Sequence, residues 1–177
     1  LDLHKNLHKV GKFDSCGLVI AKSRHSYNLR EGEFDQGQAE EVAEVFGVVG
    51  TVPIYRREAL MTVAYAGQVL DEDFVMYKED VDLAWRLRLA GYKSYYVPAA
   101  VAYHDRSLAK SERLSLVTKS RANWPPQLKA FSCRNHWLVL LKNDCWGNIL
   151  LCLPYIFWYE LKKFIYRLFF ETIVLFQ

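Results

Sequence analysis

The segment 74–104 constrains the fold more than any other part of this sequence. Carboxylates open its first half and arginines close it: Glu79, Asp80, Asp82, Arg86 and Arg88. Because a helix is electropositive at its first turn and electronegative at its last, this order of charges predicts a short helix that begins near Glu79. Gly91 follows the arginines and is typical of a left-handed helix stop.

One face of this predicted helix combines a carboxylate with apolar side chains. The apolar members of that face are Leu83, Ala84 and Leu87. At 3.6 residues per turn Asp80 lies on the same side, so its carboxylate is expected to point inward. Asp82 and Arg86, four residues apart, are expected to form a structural ion pair.

The second half of the segment, residues 93–103, is rich in Tyr, Val and Ala around Pro98. This composition predicts a strand, a bend and an extended piece that ends at His104. An inward carboxylate at Asp80, followed one strand later by His104, fits a proton-transfer or metal-assisted site. The alternative is that acids in the first turn only cap the helix, and spacing alone favours that interpretation.

Elsewhere the pattern is simpler. It predicts a strand over residues 16–21, an open loop over residues 22–41, a helix over residues 58–65 and a helix over residues 127–142. Residues 42–55 form an apolar segment with glycines, which indicates a buried strand where another backbone or a ligand comes close.

Three motifs follow one another in residues 50–104: GTVPIYRREAL, then LDEDFVMYKEDVDLAWRLRLAGY, then VPAAVAYH. Their order resembles the acceptor-side half of bacterial family 2 glycosyltransferases of the rhamnosyltransferase-like kind. The resemblance implies an α/β fold, a partial GT-A-like sheet of nucleotide-diphospho-sugar transferases followed by a helical extension. Residues 1–108 would be the acceptor-side half of the catalytic domain, and residues 109–177 the extension.

The resemblance also implies a reaction, the inverting transfer of a sugar from a nucleotide-diphosphate donor to an acceptor hydroxyl. The product would be a cell-surface polysaccharide or glycolipid. Asp80 would be the general base that takes the acceptor proton, and Glu79 would orient the helix start or the acceptor. His104 matches a histidine that reaches the metal or the diphosphate in many enzymes of this fold; the alternative is a satisfied histidine at a strand end.

Four further residues are candidates for substrate binding. Arg56 and Arg57 could grip diphosphate oxygens through their forked guanidinium groups, although helix-start solvation or pairing with nearby acids is the alternative. Gly50 lies in the glycine-containing segment where a ligand could approach. Trp85 could stack on a sugar ring, but core packing is the more common role of such a residue.

A divalent ion, Mg²⁺ or Mn²⁺, is implied by the resemblance, because oxygen ligands would let it neutralise the leaving diphosphate. The family's DxD metal motif belongs to an amino-terminal donor-binding half. The two local matches, at residues 71–73 and 80–82, lie inside the acceptor-side pattern and are interpreted as accidental. The main metal ligands are therefore expected outside this chain, which would be a fragment that is inactive without its donor-binding half.

The carboxy-terminal part is basic and apolar. Residues 111–177 carry nine basic and four acidic side chains. The longest uncharged apolar run, residues 149–159, is shorter than the roughly 20 residues that span a bilayer. Charged residues then recur at steps of three and four: Glu160, Lys163, Arg167 and Glu171. This spacing predicts an amphipathic helix in a membrane interface, with an ordinary packed helix as the alternative.

Composition limits the cellular location and the binding partners that we expect for this protein. The four cysteines show no CxxC pairing and no signal peptide leads the sequence, which favours a cytoplasmic protein. The predicted interfacial helix adds the expectation of a peripheral position on the inner face of the cell membrane. Expected partners are a nucleotide-sugar donor and a glycan or lipid-linked acceptor. Scattered basic residues argue against nucleic acid. The alternatives are a non-catalytic membrane-associated remnant or accessory module, and a metal-dependent hydrolase that lacks a third ligand.

Overall fold

The computed structural model describes residues 11–104 and 125–170. Within them the fold is mixed α and β, as predicted, with two small antiparallel sheets and four α-helices. In chain order the elements are β1 Leu18–Ile20, β2 Ser26–Asn28, β3 Ala43–Val45, α1 Arg57–Val63, a 3₁₀ turn Glu72–Phe74, α2 Glu79–Leu89, β4 Ser94–Tyr96, α3 Pro126–Asn143 and α4 Trp146–Phe170. The helices predicted over residues 58–65 and 127–142 are confirmed as α1 and α3.

β1 and β2 form a hairpin in which Val19 pairs with Tyr27. Arg24 closes its turn with a φ of 62°. The strand predicted over residues 16–21 is confirmed, but the open loop predicted over residues 22–41 is wrong where it includes β2. That strand lacks an apolar alternation and is formed by its pairing with β1.

The second sheet pairs β3 with β4, and Glu44 lies opposite Tyr95. Backbone bonds connect it to the hairpin, because Leu18 N donates to Gly47 O at 2.8 Å. Of the predicted strand in residues 42–55, only the first part is regular. The chain then runs as a loop toward α1.

α2 begins at Glu79 and ends at Leu89, and Gly91 follows as the predicted left-handed stop. Gly91 has a φ of 86°, and its N–H donates to Arg88 O at 2.9 Å. The N–H of Tyr92 donates to Leu87 O at 2.9 Å. These two bonds make a Schellman motif, in which a left-handed residue satisfies the last free carbonyls of the helix.

Two clusters of buried side chains flank α2. The larger joins it to the sheets and to α3: Leu18, Phe74, Val81, Ala84, Trp85, Val139 and Leu140. The smaller joins it to α1: Ala59, Leu83 and Leu87. The apolar face predicted for α2 is therefore buried. Residues on both sides of position 108 contribute to the larger cluster, and each large side chain buried there contributes about 1.5–3 kcal/mol.

A buried carboxylate links α2 to the end of α3. Asp82, whose side chain is 1% exposed, accepts a hydrogen bond from Arg86 Nε at 2.8 Å. Its other oxygen accepts from Asn143 Nδ2 at 2.8 Å. The predicted structural pair of Asp82 and Arg86 is confirmed.

α4 packs on the body through the buried side chain of Ile156 and through polar side chains. Glu160 and Lys163, whose side chains are 17% and 21% exposed, pair at 2.6 Å, and Glu160 Oε1 lies 3.1 Å from His136 Nε2 of α3. These charges share one face, as predicted; Glu171 lies outside the described residues. None of the helices in the described ranges is long and apolar enough to cross a bilayer.

Candidate functional site

Asp80 lies in the first turn of α2, where two backbone amides hold its carboxylate. Oδ2 accepts a hydrogen bond from Gly50 N at 3.0 Å, and Oδ1 accepts one from Val81 N at 2.8 Å. A Cβ at Gly50 would lie 3.4 Å from that of Asp80. The close approach expected at Gly50 is therefore made by the predicted base itself, whose side chain is half-buried.

Tyr55 lies near this carboxylate, in the loop that also contains Gly50. Its side chain packs against the cluster between α1 and α2. Burial, and secondly the negative charge of Asp80, raise the pKa of Tyr55 to about 12. The phenol is therefore protonated at neutral pH and can donate a hydrogen bond.

A cleft of about 790 Å³ borders the loop between β3 and α1. β4 and the chain that leads to His104 form another wall. Its polar lining includes Asp14, Thr51, Tyr55, Arg56, Lys93 and His104. The volume lies within the roughly 300–1,000 Å³ of small-molecule sites. Tyr55, whose pKa senses the charge of Asp80, lines the cleft, whereas Asp80 and Glu79 are not in its walls.

His104 reaches the cleft together with a partner that the sequence did not indicate. Its Nδ1 lies 3.1 Å from Asp14 Oδ2, and both side chains are about one-third exposed. A carboxylate beside one ring nitrogen orients the imidazole and leaves the other nitrogen for a ligand. The structure thus brings His104 to Asp14 and does not bring it to Asp80.

The other predicted site residues have separate positions. Arg56 lines the cleft, whereas Arg57 begins α1 outside it, and both are exposed. Trp85 is buried edge-on against Phe46 with ring centroids 5.6 Å apart, which favours its packing role. Glu79 is half-buried, and its Oε2 is a buried atom with no hydrogen-bond partner among the described residues. Buried polar atoms in folded proteins are nearly always hydrogen-bonded, so an unpaired oxygen at this position is unusual.

The chain just before α2 is strained and held from α3. Val75, Tyr77 and Lys78 have φ values of 56°, 71° and 69°, and each such non-glycine residue costs on the order of 1–3 kcal/mol. Asn135 Nδ2 lies 2.6–2.8 Å from three carbonyl oxygens, those of Phe74, Met76 and Tyr77. Sequence analysis missed this anchor, although the Arg134-Asn135 pair is visible in the sequence.

No protein-family model matches this chain, and neither the curated proteins nor the solved structures contain a match to it. Its functional interpretation therefore depends on the motifs of residues 50–104 and on the geometry of the site. That geometry places a protonated phenol and an imidazole in the walls of one cleft, and the carboxylate of Asp80 beside the loop that forms one of those walls.

The side chains fit only part of a metal site. His104 and Asp14 offer two donors, but the described residues contain no group of three His, Cys, Asp or Glu that could hold an ion. A hard divalent cation takes about six oxygen ligands. No step of the chemistry is therefore assigned to an ion held by these residues alone.

Proposed function

We propose that this chain is the acceptor-side half of an inverting family 2 glycosyltransferase with a GT-A-like fold. The motif order in residues 50–104 supports the family. The observation that carries the proposal is the 3.0 Å hydrogen bond from Gly50 N to Asp80 Oδ2. It joins the candidate base to the loop whose continuation, residues 51–56, lines the cleft.

In this proposal Asp80 is the general base. A carboxylate has about four acceptor positions, and the two backbone bonds use two of them. A remaining position takes the proton of the acceptor hydroxyl while that oxygen bonds to the anomeric carbon. The bond from the anomeric carbon to the nucleoside diphosphate breaks in the same step, and the electron pair leaves with the diphosphate.

Neighbouring groups position the reactants. Glu79 would orient the acceptor or the start of α2, and the protonated phenol of Tyr55 would donate a hydrogen bond to the acceptor. Arg56 on the cleft wall would bind diphosphate oxygens. Mg²⁺ or Mn²⁺, held mainly by a donor-binding half, would neutralise charge on the leaving group. The acceptor would be a glycan or a lipid-linked sugar at the cytoplasmic face of the cell membrane.

One observation favours a non-catalytic alternative, a membrane-associated accessory module. Both oxygens of Asp80 accept backbone N–H groups, one of them from Val81 in its own helix. A carboxylate that only caps a helix makes such bonds. The two functions differ in what happens when the charge of Asp80 is removed.

The test is Asp80→Asn, introduced into the gene in its source organism, with transfer from labelled nucleotide sugars measured in membrane extracts. Loss of general-base catalysis lowers turnover by about 10² to 10⁴, while donor binding is unchanged. Glu72→Gln is the matched control, because Glu72 is an exposed carboxylate in the turn before α2. That variant should transfer at the normal rate.

Thermal melting of the purified variants separates the two functions. Loss of transfer at an unchanged melting temperature supports the base. Near-normal turnover in Asp80→Asn rejects it. Loss of transfer together with a large fall in melting temperature indicates that Asp80 serves as a helix cap.

A further inference from the structure

We propose that the outward face of α4 lies in the interfacial layer of a membrane that contains anionic lipid. The inference deepens the membrane location proposed above and rests on it, but it does not need the transfer chemistry. The apolar face is defined by Leu150, Leu151, Phe157, Trp158, Ile165 and Phe169, which are 45–79% exposed. Contiguous exposed apolar surface of this kind marks a binding surface.

The orientation of α4 is the reverse of that of a surface helix facing water. Such a helix buries an apolar stripe and exposes its charges. In α4 the charges of Glu160 and Lys163 are turned toward His136 of α3. The face that bears Glu160, Lys163 and the buried Ile156 is therefore already occupied by the protein, and the exposed apolar face is left for another medium.

The width of the apolar face favours lipid over a single partner helix. Together with Leu153, Tyr155 and Phe164, which are also about half exposed, the apolar positions of this face cover about 200° of the circumference at 3.6 residues per turn. A coiled-coil partner would cover only a narrow seam of two positions in each heptad. Since no helix in the described ranges could span a bilayer, the geometry fits a helix that lies in the interface plane.

Two lysines at one edge of this face favour anionic lipids. Lys162 Nζ lies 5.8 Å from the Trp158 ring, and Lys22 Nζ lies 5.5 Å from the Tyr155 ring. Tyr155 and Lys162 are seven residues apart, so they share an edge of α4. Tryptophan and tyrosine rings settle at headgroup depth, where both lysines meet lipid phosphates.

The experiment is flotation of the full 177-residue chain with two kinds of vesicle. One is phosphatidylcholine alone, and the other is an equal mixture of phosphatidylcholine and phosphatidylglycerol. Each lysine near an anionic surface strengthens binding about fivefold, so the mixed vesicles should bind the chain far better. Leu151→Glu should weaken that binding at least ~10-fold, because a large apolar contact is lost.

Two further variants make the result decisive. Lys162→Glu removes a surface charge without touching the core and should weaken binding to the mixed vesicles about fivefold or more. Tyr65→Glu is the matched control, because Tyr65 is 84% exposed in the turn after α1, and its binding should equal that of the unaltered chain. Circular dichroism checks that each variant keeps its helix content.

Several results would overturn the proposal. The chain could fail to float with either vesicle, Leu151→Glu could bind as well as the unaltered chain, or both vesicles could bind equally. Dimers in solution that Leu151→Glu dissociates, without lipid binding, would identify a second copy as the occupant. Flotation measures no sugar transfer, so failure of the Asp80 test leaves this inference standing.

Discussion

Gly47 occupies a position in the loop after β3 where a larger residue does not fit. A Cβ built there would lie 2.3 Å from the Cβ of Ala84 in α2. Glycine therefore permits the loop to approach the helix that carries Asp80. The same loop continues to Gly50, whose N–H donates to Asp80.

Gly47→Ala should destabilise the protein by about 1–3 kcal/mol, since the added methyl group overpacks the contact with Ala84. Thermal denaturation followed by circular dichroism measures the change. Gly147→Ala in α4 is the control, because its new Cβ meets no atom within 4 Å. This control substitution should leave the melting temperature unchanged or raise it, because alanine favours the helix over glycine by up to about 1 kcal/mol. Equal losses in both variants would contradict the packing argument.

At the residue scale the sequence predicted positions in the chain's elements better than contacts between distant residues. Asp80 was placed at the start of a helix because its local charges and spacing dictate that position. Its contact with Gly50 spans 30 residues, and the contact of His104 with Asp14 spans 90. Such pairs depend on how elements pack, which no local pattern encodes.

At the scale of elements, the two ends of α2 differ in what determines them. The end of α2 is determined locally, because Gly91 and the two hydrogen bonds that close the helix involve only residues 87–92. The strained segment before its start is not local in the same way, because Asn135 from α3 holds it. Sequence analysis therefore found the stop and missed the anchor.

Asn135→Asp should destabilise the protein by at least about 2 kcal/mol, because a carboxylate would face carbonyl oxygens where an amide now donates. Urea denaturation measures the loss. The matched control is Asn148→Asp, an exposed residue in the first turn of α4, where an added acid is favourable to the helix dipole. A stable Asn135→Asp variant would show that the anchor contributes little.

At the scale of the whole molecule, a buried charge cluster fastens α4 to the body. Burial alone would raise the pKa of Glu160, but its bonds to His136 and Lys163 outweigh burial and lower that pKa to about 2. Tyr159 adds a second attachment, with its hydroxyl 2.8 Å from His25 Nδ1. The helix is thus held by polar contacts whose strength depends on pH.

The lowered pKa of Glu160 predicts an acid-sensitive attachment. Because the folded value is below the ordinary 4.5, the contribution to stability is complete above pH 4.5 and is lost as the pH falls toward about 2. Glu160→Gln should therefore be less stable than the unaltered chain near neutrality, by up to about 3 kcal/mol. The difference should shrink in acid, and melting temperatures across this range measure it.

The control for this prediction is Glu72→Gln, which alters an exposed carboxylate. Its melting temperature should keep a constant offset from that of the unaltered chain throughout the titration. A constant offset for Glu160→Gln as well would mean that the cluster does not control acid stability.

The orientation of α4 also shows where prediction from sequence ends. Periodicity identified the helix and the face that bears Glu160, Lys163 and Arg167. It could not tell which face meets the protein, because that choice depends on His136, which lies 24 residues earlier in α3. An amphipathic pattern defines a polar face and an apolar face of the helix. Only the neighbouring element determines which of the two packs on the protein.

The shared core has a practical consequence for anyone who divides the chain. Val139 and Leu140 complete the cluster around Leu18, and Arg24 Nε bonds Asp144 Oδ2 at 2.5 Å across 120 positions. A protease cut within residues 105–124 should leave two pieces that copurify and separate only in denaturant. Truncation at residue 108 would instead uncover apolar surface and yield an aggregating product.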